Sequence, residues 1–251
     1  MTYRVVIPAR FGSERLPGKP LADIHGRPMI VRVAEAVARS GARELVVATD
    51  DARVVEAVGR AGFQAVMTRR DHPSGSDRVM EVVGAAGWPE DDVVLNVQGD
   101  EPLIPPAVLD QLAAAMNADT AVASATLCEP IARRADLDNP NVVKVVRAAD
   151  GRALYFSRSP IPYRRDGLEA PSGGLPAEGR WWRHVGVYAY RVRALDRFVR
   201  LPPGTLEQLE KLEQLRLLEN AMDMLVLEAC EPVPGGVDTP EDLARVRALL
   251  R

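Results

Sequence analysis

Apolar residues along the first 130 positions keep two alternating rhythms. Short continuous runs at residues 4–8, 44–48, 63–67 and 92–98 read as strands covered on both faces. Between them, apolar residues recur at helical spacing. Ile30, Val33, Ala34 and Val37 follow Pro28, which suits a first helical turn, and Gly41 suits the stop. Val54, Val55 and Val58 mark a second helix that closes near Gly62, and residues 77–86 a third. Pro105 or Pro106 opens a fourth, and a strand follows at residues 120–127. This alternation predicts parallel strands joined by right-handed helical crossovers. Ligands of such sheets collect beyond the carboxyl ends of the strands. The polar material falls at those ends: residues 9–20, Thr49-Asp50, Ser74-Gly75-Ser76 and Gln98-Gly99-Asp100.

The rhythm changes after Asn139. "NVVKVVRAADGRALYFSRSPIPY" predicts a hairpin turning at Asp150-Gly151. "RRDGLEAPSGGLPAEGR", residues 164–180, reads as an exposed Gly/Pro-rich excursion. "HVGVYAYRV" is a further strand. Leu206, Leu209, Leu212, Leu215 and Leu218 predict a helix whose Glu207, Glu210 and Glu213 form a solvated face. A strand at 224–229 and a closing helix at 239–251 complete the chain, with no internal repeat.

Composition narrows the classes. The 251 residues make one large domain or two small ones. A formal net charge of −3 argues against a broad nucleic-acid footprint, so any cationic site is local. No apolar stretch approaches a membrane span, and residues 1–7 carry no secretory pattern. Only Cys128 and Cys230 are present, without a CxxC, which fits a reducing compartment and excludes a disulfide framework.

The candidate chemistry begins in "VVIPARFGSERLPGKP", residues 5–20. Five residues separate Gly12 from Gly18, and Pro20 follows Lys19, so this is not a P-loop. It still holds the parts of a phosphate site. Glycine-freed amides can face an anion, Arg10 and Arg15 can fork onto phosphate oxygens, and Lys19 supplies a point charge. Asp100, at a neighbouring strand exit, suits Mg²⁺ held beside phosphate, while Gln98 has donor and acceptor for a base or sugar hydroxyl. In "PGGVDTPEDL", Thr239 caps the closing helix with Pro240 at its first position, which leaves Asp238 free as a second metal ligand. In "HPSGSDR", Ser74 or Ser76 caps a helix whose N-terminus, with Arg78, also suits an anionic or polar ligand. His25 and His72 read as surface residues, and His184 with Tyr188 can bond a polyhydroxylated ligand.

"PARFGSERLPGKPL", "GRPMIVRV", "VVATDD", "HPSGSDR", "VLNVQGDEPLI", "NPNVVKVV", "ALYFSRSPIPY", "RHVGVYAYR", "LEQLEKLEQLRLLE" and "GVDTPEDL", in this order, resemble the 3-deoxy-manno-octulosonate cytidylyltransferases, or CMP-Kdo synthetases. The opening motif alone resembles CMP-sialic acid synthetases more loosely. "FSRSPIPY" and "RHVGVYAYR" favour Kdo. The resemblance implies an α/β fold of the nucleotide-diphospho-sugar transferase type: a Rossmann-like mixed, mostly parallel sheet flanked by helices, with a smaller β-rich lobe from the second half. It implies one nucleotidyltransferase domain over 1–251. Residues 1–138 form the nucleotide-binding part, 139–200 a β-rich sugar-binding and dimerisation lobe, and 201–251 complete the site. It implies Mg²⁺-dependent transfer of CMP from CTP to the anomeric hydroxyl of 3-deoxy-D-manno-octulosonate (Kdo), releasing pyrophosphate, in lipopolysaccharide synthesis by a cytoplasmic homodimer. Arg10, Arg15, Lys19, Ser74, Arg78 and Gln98 would surround the nucleotide. Asp100 and Asp238 would bind the metal, with Arg10 and Lys19 sharing the catalytic work. Arg158, His184, Tyr188, Glu213 and Gln214 would line the Kdo site. Ser76 stands where the family's pattern has Thr and keeps the hydroxyl; the 164–180 excursion aligns with no family motif. Two alternatives stay open at this point: transfer to another keto-acid sugar, such as sialic acid or 8-amino-Kdo, and a non-catalytic CTP sensor.

Overall fold

A computed structural model describes residues 2–12, 15–167, 175–176 and 180–250. In chain order its elements are β1 (Arg4–Ala9), β2 (Asp23–Ile24), β3 (Arg27–Pro28), α1 (Met29–Val37), β4 (Glu44–Thr49), α2 (Ala52–Arg60), β5 (Gln64–Met67), α3 (Gly75–Ala86), β6 (Val93–Asn96), α4 (Pro106–Ala118), β7 (Ser124–Pro130) and α5 (Arg134–Asp138). There follow β8 (Lys144–Arg147), β9 (Ala153–Ser157), β10 (Trp182–Arg191), α6 (Val192–Arg200), α7 (Thr205–Glu210), α8 (Leu215–Glu219), β11 (Met224–Glu228) and α9 (Pro240–Leu249). Much of the 164–180 excursion, residues 168–174 and 177–179, lies outside the described residues.

The main sheet runs β11-β7-β10-β6-β1-β4-β5. β6, β1, β4 and β5 are mutually parallel, as are β11 and β7. β10 lies between β6 and β7, antiparallel to both. The expected hairpin of β8 and β9 forms, and it attaches to the first part of β10, where Trp182 pairs with Val145. So β10 pairs with β7 along its length, and its other edge holds β8 at its start and β6 at its end.

Each central strand buries alternate side chains on opposite faces. Val5 and Ile7 of β1 join one core with α1 and α4, including Val33 and Leu112. Val6 joins the other with α3 and α6, including Val82 and Phe198. Both faces being covered explains why the strands read as unbroken apolar runs.

The leucine run behaves differently from the single helix expected. It forms α7 and α8, separated at Lys211, which ends α7 in the left-handed region at φ 54°. Leucines every third residue drift by about 60° per step around a helix of 3.6 residues per turn, so one straight helix cannot bury five of them. The break buries Leu212, Leu215 and Leu217 and leaves Leu209 at the surface.

Candidate active site

Four segments converge beyond the carboxyl ends of β1 and β6 to wall a cavity of about 950 Å³. They are the basic loop after β1, the start of α3, the turn after β6, and Asp238 before α9. Two glycines allow the approach. A Cβ on Gly99 would lie 3.0 Å from the Pro8 carbonyl oxygen, so only glycine lets the end of β6 close on β1. Gly18 holds φ 66° and lies against the Phe11 ring, where a Cβ would sit 3.3 Å from the ring edge.

Arg10, Arg15, Lys19, Ser74, Arg78, Gln98, Asp100 and Asp238 all line this cavity. Lys19 Nζ donates to Asp100 Oδ2 at 2.5 Å and to Asp238 Oδ1 at 2.9 Å, and Arg15 Nη2 lies 3.0 Å from the same Asp238 oxygen. Burial opposes the Lys19 charge, but the two carboxylates outweigh it and raise its pKa above the ordinary lysine value. Asp238 is available because Thr239 accepts the Asp242 amide and Asp242 returns the bond to Thr239, a capping box that needs nothing from Asp238's carboxylate.

Among the described residues no group of three His, Cys, Asp or Glu side chains is placed to hold a metal. The site instead offers two hard carboxylate ligands with a cation already between them. That fits Mg²⁺, which takes one or two carboxylates and completes its shell with phosphate and water oxygens.

Ser74 caps α3 by accepting the Asp77 amide. Its hydroxyl lies 2.6 Å from both Asp77 Oδ2 and Glu213 Oε1. The two carboxylates therefore share the Ser74 hydroxyl, and burial, the largest of several influences, raises the Glu213 pKa above the ordinary carboxylate value. Glu213 therefore faces inward onto Ser74 and Ser76, away from the solvent expected by helical pattern. It lines neither cavity. Arg78 borders the first cavity, yet its guanidinium also bonds Thr68 Oγ1 and Asp50 Oδ2. His72, expected at the surface, has a buried side chain that bonds Glu81 and lines the cavity.

A second cavity of about 500 Å³ opens beside Glu101, between β10 and the turn after α7. His184, Tyr188 and Gln214 line it. A bulge in β10 between Val185 and Tyr188 brings the two rings to 5.4 Å. Thr126 Oγ1 lies within hydrogen-bond reach of His184 Nε2 and the Val185 and Val187 carbonyls. When the hydroxyl donates to a carbonyl, Nε2–H donates to Thr126, leaving Nδ1 as an acceptor. Burial, helped by Arg183, drops the His184 pKa to about 3, so the ring is neutral at pH 7. Burial and then the Glu213 charge raise the Tyr188 pKa, keeping its hydroxyl a donor. Gln214 is 3% exposed, and its Nε2 has no partner among the described residues. An unpaired buried donor costs about 1–3 kcal/mol, which a bound acceptor would recover. Glu101 lines the same cavity, and burial, with Asp100 next in effect, pushes its pKa to about 8. Arg158 lines neither cavity. Its guanidinium donates to the Glu210 and Pro140 carbonyls.

A cytidylyltransferase family model matches residues 4–224. The 3-deoxy-manno-octulosonate cytidylyltransferase of Alcanivorax borkumensis is 53% identical over 250 residues, covering 100% of this chain and 99% of its own. That of Cellvibrio japonicus is 54% identical over 251 residues, covering 100% and 98%. A solved CMP:2-keto-3-deoxy-manno-octonic acid synthetase, complexed with CTP, superposes with a TM-score of 0.90 at 46% identity over 100% of this chain and 98% of the other. A cytidylyltransferase from Leptospira borgpetersenii, 15% identical with a TM-score of 0.61, covers 98% and 85% and shares the fold. Family model, full-length identity and superposition agree with a phosphate-suited cavity at the strand ends: this chain belongs to the 3-deoxy-manno-octulosonate cytidylyltransferase family.

Proposed function

We infer that the chain transfers CMP from CTP to the anomeric hydroxyl of Kdo, forming CMP-Kdo and pyrophosphate. One observation carries this reading. Three cations of the opening loop meet Asp100 and Asp238 in one cavity, in a chain about half identical to its relatives end to end.

In the proposed reaction the 2-hydroxyl oxygen of Kdo attacks the α-phosphorus in line, and pyrophosphate leaves with the electron pair of the broken P–O bond. The hydroxyl proton is released. Such transfers need positioning and charge neutralisation more than covalent help. Arg10 and Arg15 are exposed guanidinium forks suited to non-bridging phosphate oxygens. Lys19 is more deeply set and suits the charge building on the leaving group. Asp100 and Asp238 would hold Mg²⁺, which supplies further positive charge beside the phosphates when bound. Gln98, also on the cavity wall, suits the ribose or base.

The second cavity suits Kdo. Neutral His184 offers an acceptor, Tyr188 a donor and Gln214 an unpaired amide, a mixed set matched to a polyhydroxylated acid. Glu213 and Arg158 support this region from behind: Glu213 holds the α3 cap, and Arg158 ties α7 to the Asn139–Asn141 segment. A homodimer working in the cytoplasm, serving lipopolysaccharide synthesis, belongs to the same proposal. Leu154 and Tyr163, exposed on the smaller lobe, support a subunit contact there. No described helix is long and apolar enough to cross a membrane.

The test is pyrophosphate release from CTP and Mg²⁺ with a panel of keto-acid sugars. Release with Kdo supports the reading. Release with sialic acid but not Kdo overturns the sugar assignment, and release with no sugar acid overturns the transfer.

A further inference from the structure

The opening loop is held by a residue that lines neither cavity. β4 ends at Thr49, and Asp50 follows with its side chain 14% exposed. Its Oδ1 accepts the backbone N–H of Phe11 at 2.9 Å. Its Oδ2 accepts from Arg78 Nη2 at 3.2 Å, and Arg78 Nη1 donates to Thr68 Oγ1. Thr68 in turn donates to the Thr49 carbonyl at 3.0 Å. The carboxylate is thus ringed by one amide and one buried guanidinium, with the guanidinium anchored on the neighbouring strand.

Phe11 sits between Arg10 and Gly12, both of which line the nucleotide cavity. The edge of its ring lies against Gly18, and the Arg53 guanidinium sits over the ring, 3.9 Å from its centroid. Arg53 is itself fixed by Asp51, the cap of α2. So Phe11 joins the two ends of the loop, residues 11 and 18, and Asp50 joins Phe11 to the end of β4. A buried carboxylate is tolerated only when paired, which gives Arg78 a second task besides bordering the cavity.

We propose that Asp50 is a positioning residue for nucleotide binding: it fixes the Phe11 amide, and through it the Arg10 side of the phosphate cradle, with Arg78 as its counterion. This rests on the cytidylyltransferase reading of the first cavity. A one-ångström drift of a phosphate-binding group is enough to slow such a reaction markedly.

The experiment compares Asp50→Ala and Asp50→Asn with wild type by steady-state pyrophosphate release, varying CTP and Kdo separately, alongside CTP binding by calorimetry and thermal melting. Asp50→Ala removes both contacts and should raise the KM and Kd for CTP by about tenfold or more, the worth of one hydrogen bond to a charged group. Asp50→Asn keeps the shape. Its amide NH₂ must face either the Phe11 N–H or the Arg78 guanidinium, donor against donor, so CTP affinity should fall several-fold. The KM for Kdo should stay within twofold in both variants, because other elements wall the second cavity. A role in stability alone would lower the melting temperature and the active fraction while leaving both KM values unchanged, and that result overturns the proposal. If Asp50→Ala does not fold, Asp50→Asn decides: wild-type CTP affinity overturns it. An inactive wild type would instead count against the reading of the cavity, leaving the calorimetric CTP comparison to judge Asp50.

Discussion

On the proposed metal assignment Lys19 stands between the two carboxylate ligands, and removing it should tighten metal binding while weakening nucleotide binding. Its ammonium lies 2.5 Å from an Asp100 oxygen and 2.9 Å from an Asp238 oxygen, so those oxygens are no more than about 5.4 Å apart. Two unit charges at that distance repel by about 3 kcal/mol at an effective dielectric constant of 20 and by about 0.8 kcal/mol in bulk water. Asp238 is 49% exposed, so screening moves the figure toward the lower end, to roughly 1–2 kcal/mol. In wild type Lys19 relieves that repulsion, and an incoming cation must displace it. Lys19→Met removes the competitor and should lower the Kd for Mg²⁺ or Mn²⁺ in nucleotide-free protein by about 5- to 30-fold. The same variant loses a charge on the leaving pyrophosphate, and its kcat should fall by about 10²–10³. Titration calorimetry with Mn²⁺ alone reads the first effect, and pyrophosphate release the second. Unchanged or weaker metal binding by Lys19→Met would refute the idea that this lysine holds the metal position.

Three further outcomes follow from the same geometry. Gly99→Ala pushes a Cβ to 3.0 Å from the Pro8 carbonyl oxygen, and should cost about 1–3 kcal/mol and roughly 3–10 °C of melting temperature, with calorimetric melting as the check. Because burial raises the Glu213 pKa, the folded state holds a proton that the unfolded state loses above the ordinary carboxylate range. That group's contribution to stability therefore falls as pH rises. Glu213→Gln removes this titration and should gain on wild type as pH rises above the ordinary carboxylate range; a pH-independent difference in urea melts would oppose this. For His184 the sign reverses: its pKa of about 3 when folded, against about 6.5 unfolded, means stability drops as pH falls through that window, by about 1.4 kcal/mol per unit where only the unfolded state is protonated, and His184→Gln should blunt the loss.

The local grammar of the chain was readable because it is local. The Thr239 cap, the Pro-stiffened basic loop and the alternating runs of β1 and β4 each depend on residues a few positions apart. Lys19, Asp100 and Asp238 were each recognisable by their place at an element's end, though 81 and 219 positions separate the lysine from the two acids. What stayed hidden depends on packing between distant segments. No feature of "HVGVYAYRV" distinguishes a lobe strand from one wedged antiparallel between β6 and β7, since both are buried on two faces. The three-residue leucine spacing held a clue to the break at Lys211, because it drifts off one helical face. His72 and Glu101 gave no signal, each an ordinary loop residue until the fold sets it beside its partners, and Asp50 was marked only by its place at a strand end, not by its bond to Phe11. The inward turn of Glu213 follows from the break at Lys211, an orientation that helical spacing alone could not reveal.

The most direct measurement is pyrophosphate release from CTP and Kdo by wild type and by Asp100→Ala and Asp238→Ala, each checked for folding by its melting curve. Sugar-dependent release by wild type, reduced about 10²–10³-fold in both folded variants, is the predicted result. Release that persists undiminished without either carboxylate would contradict the proposed site.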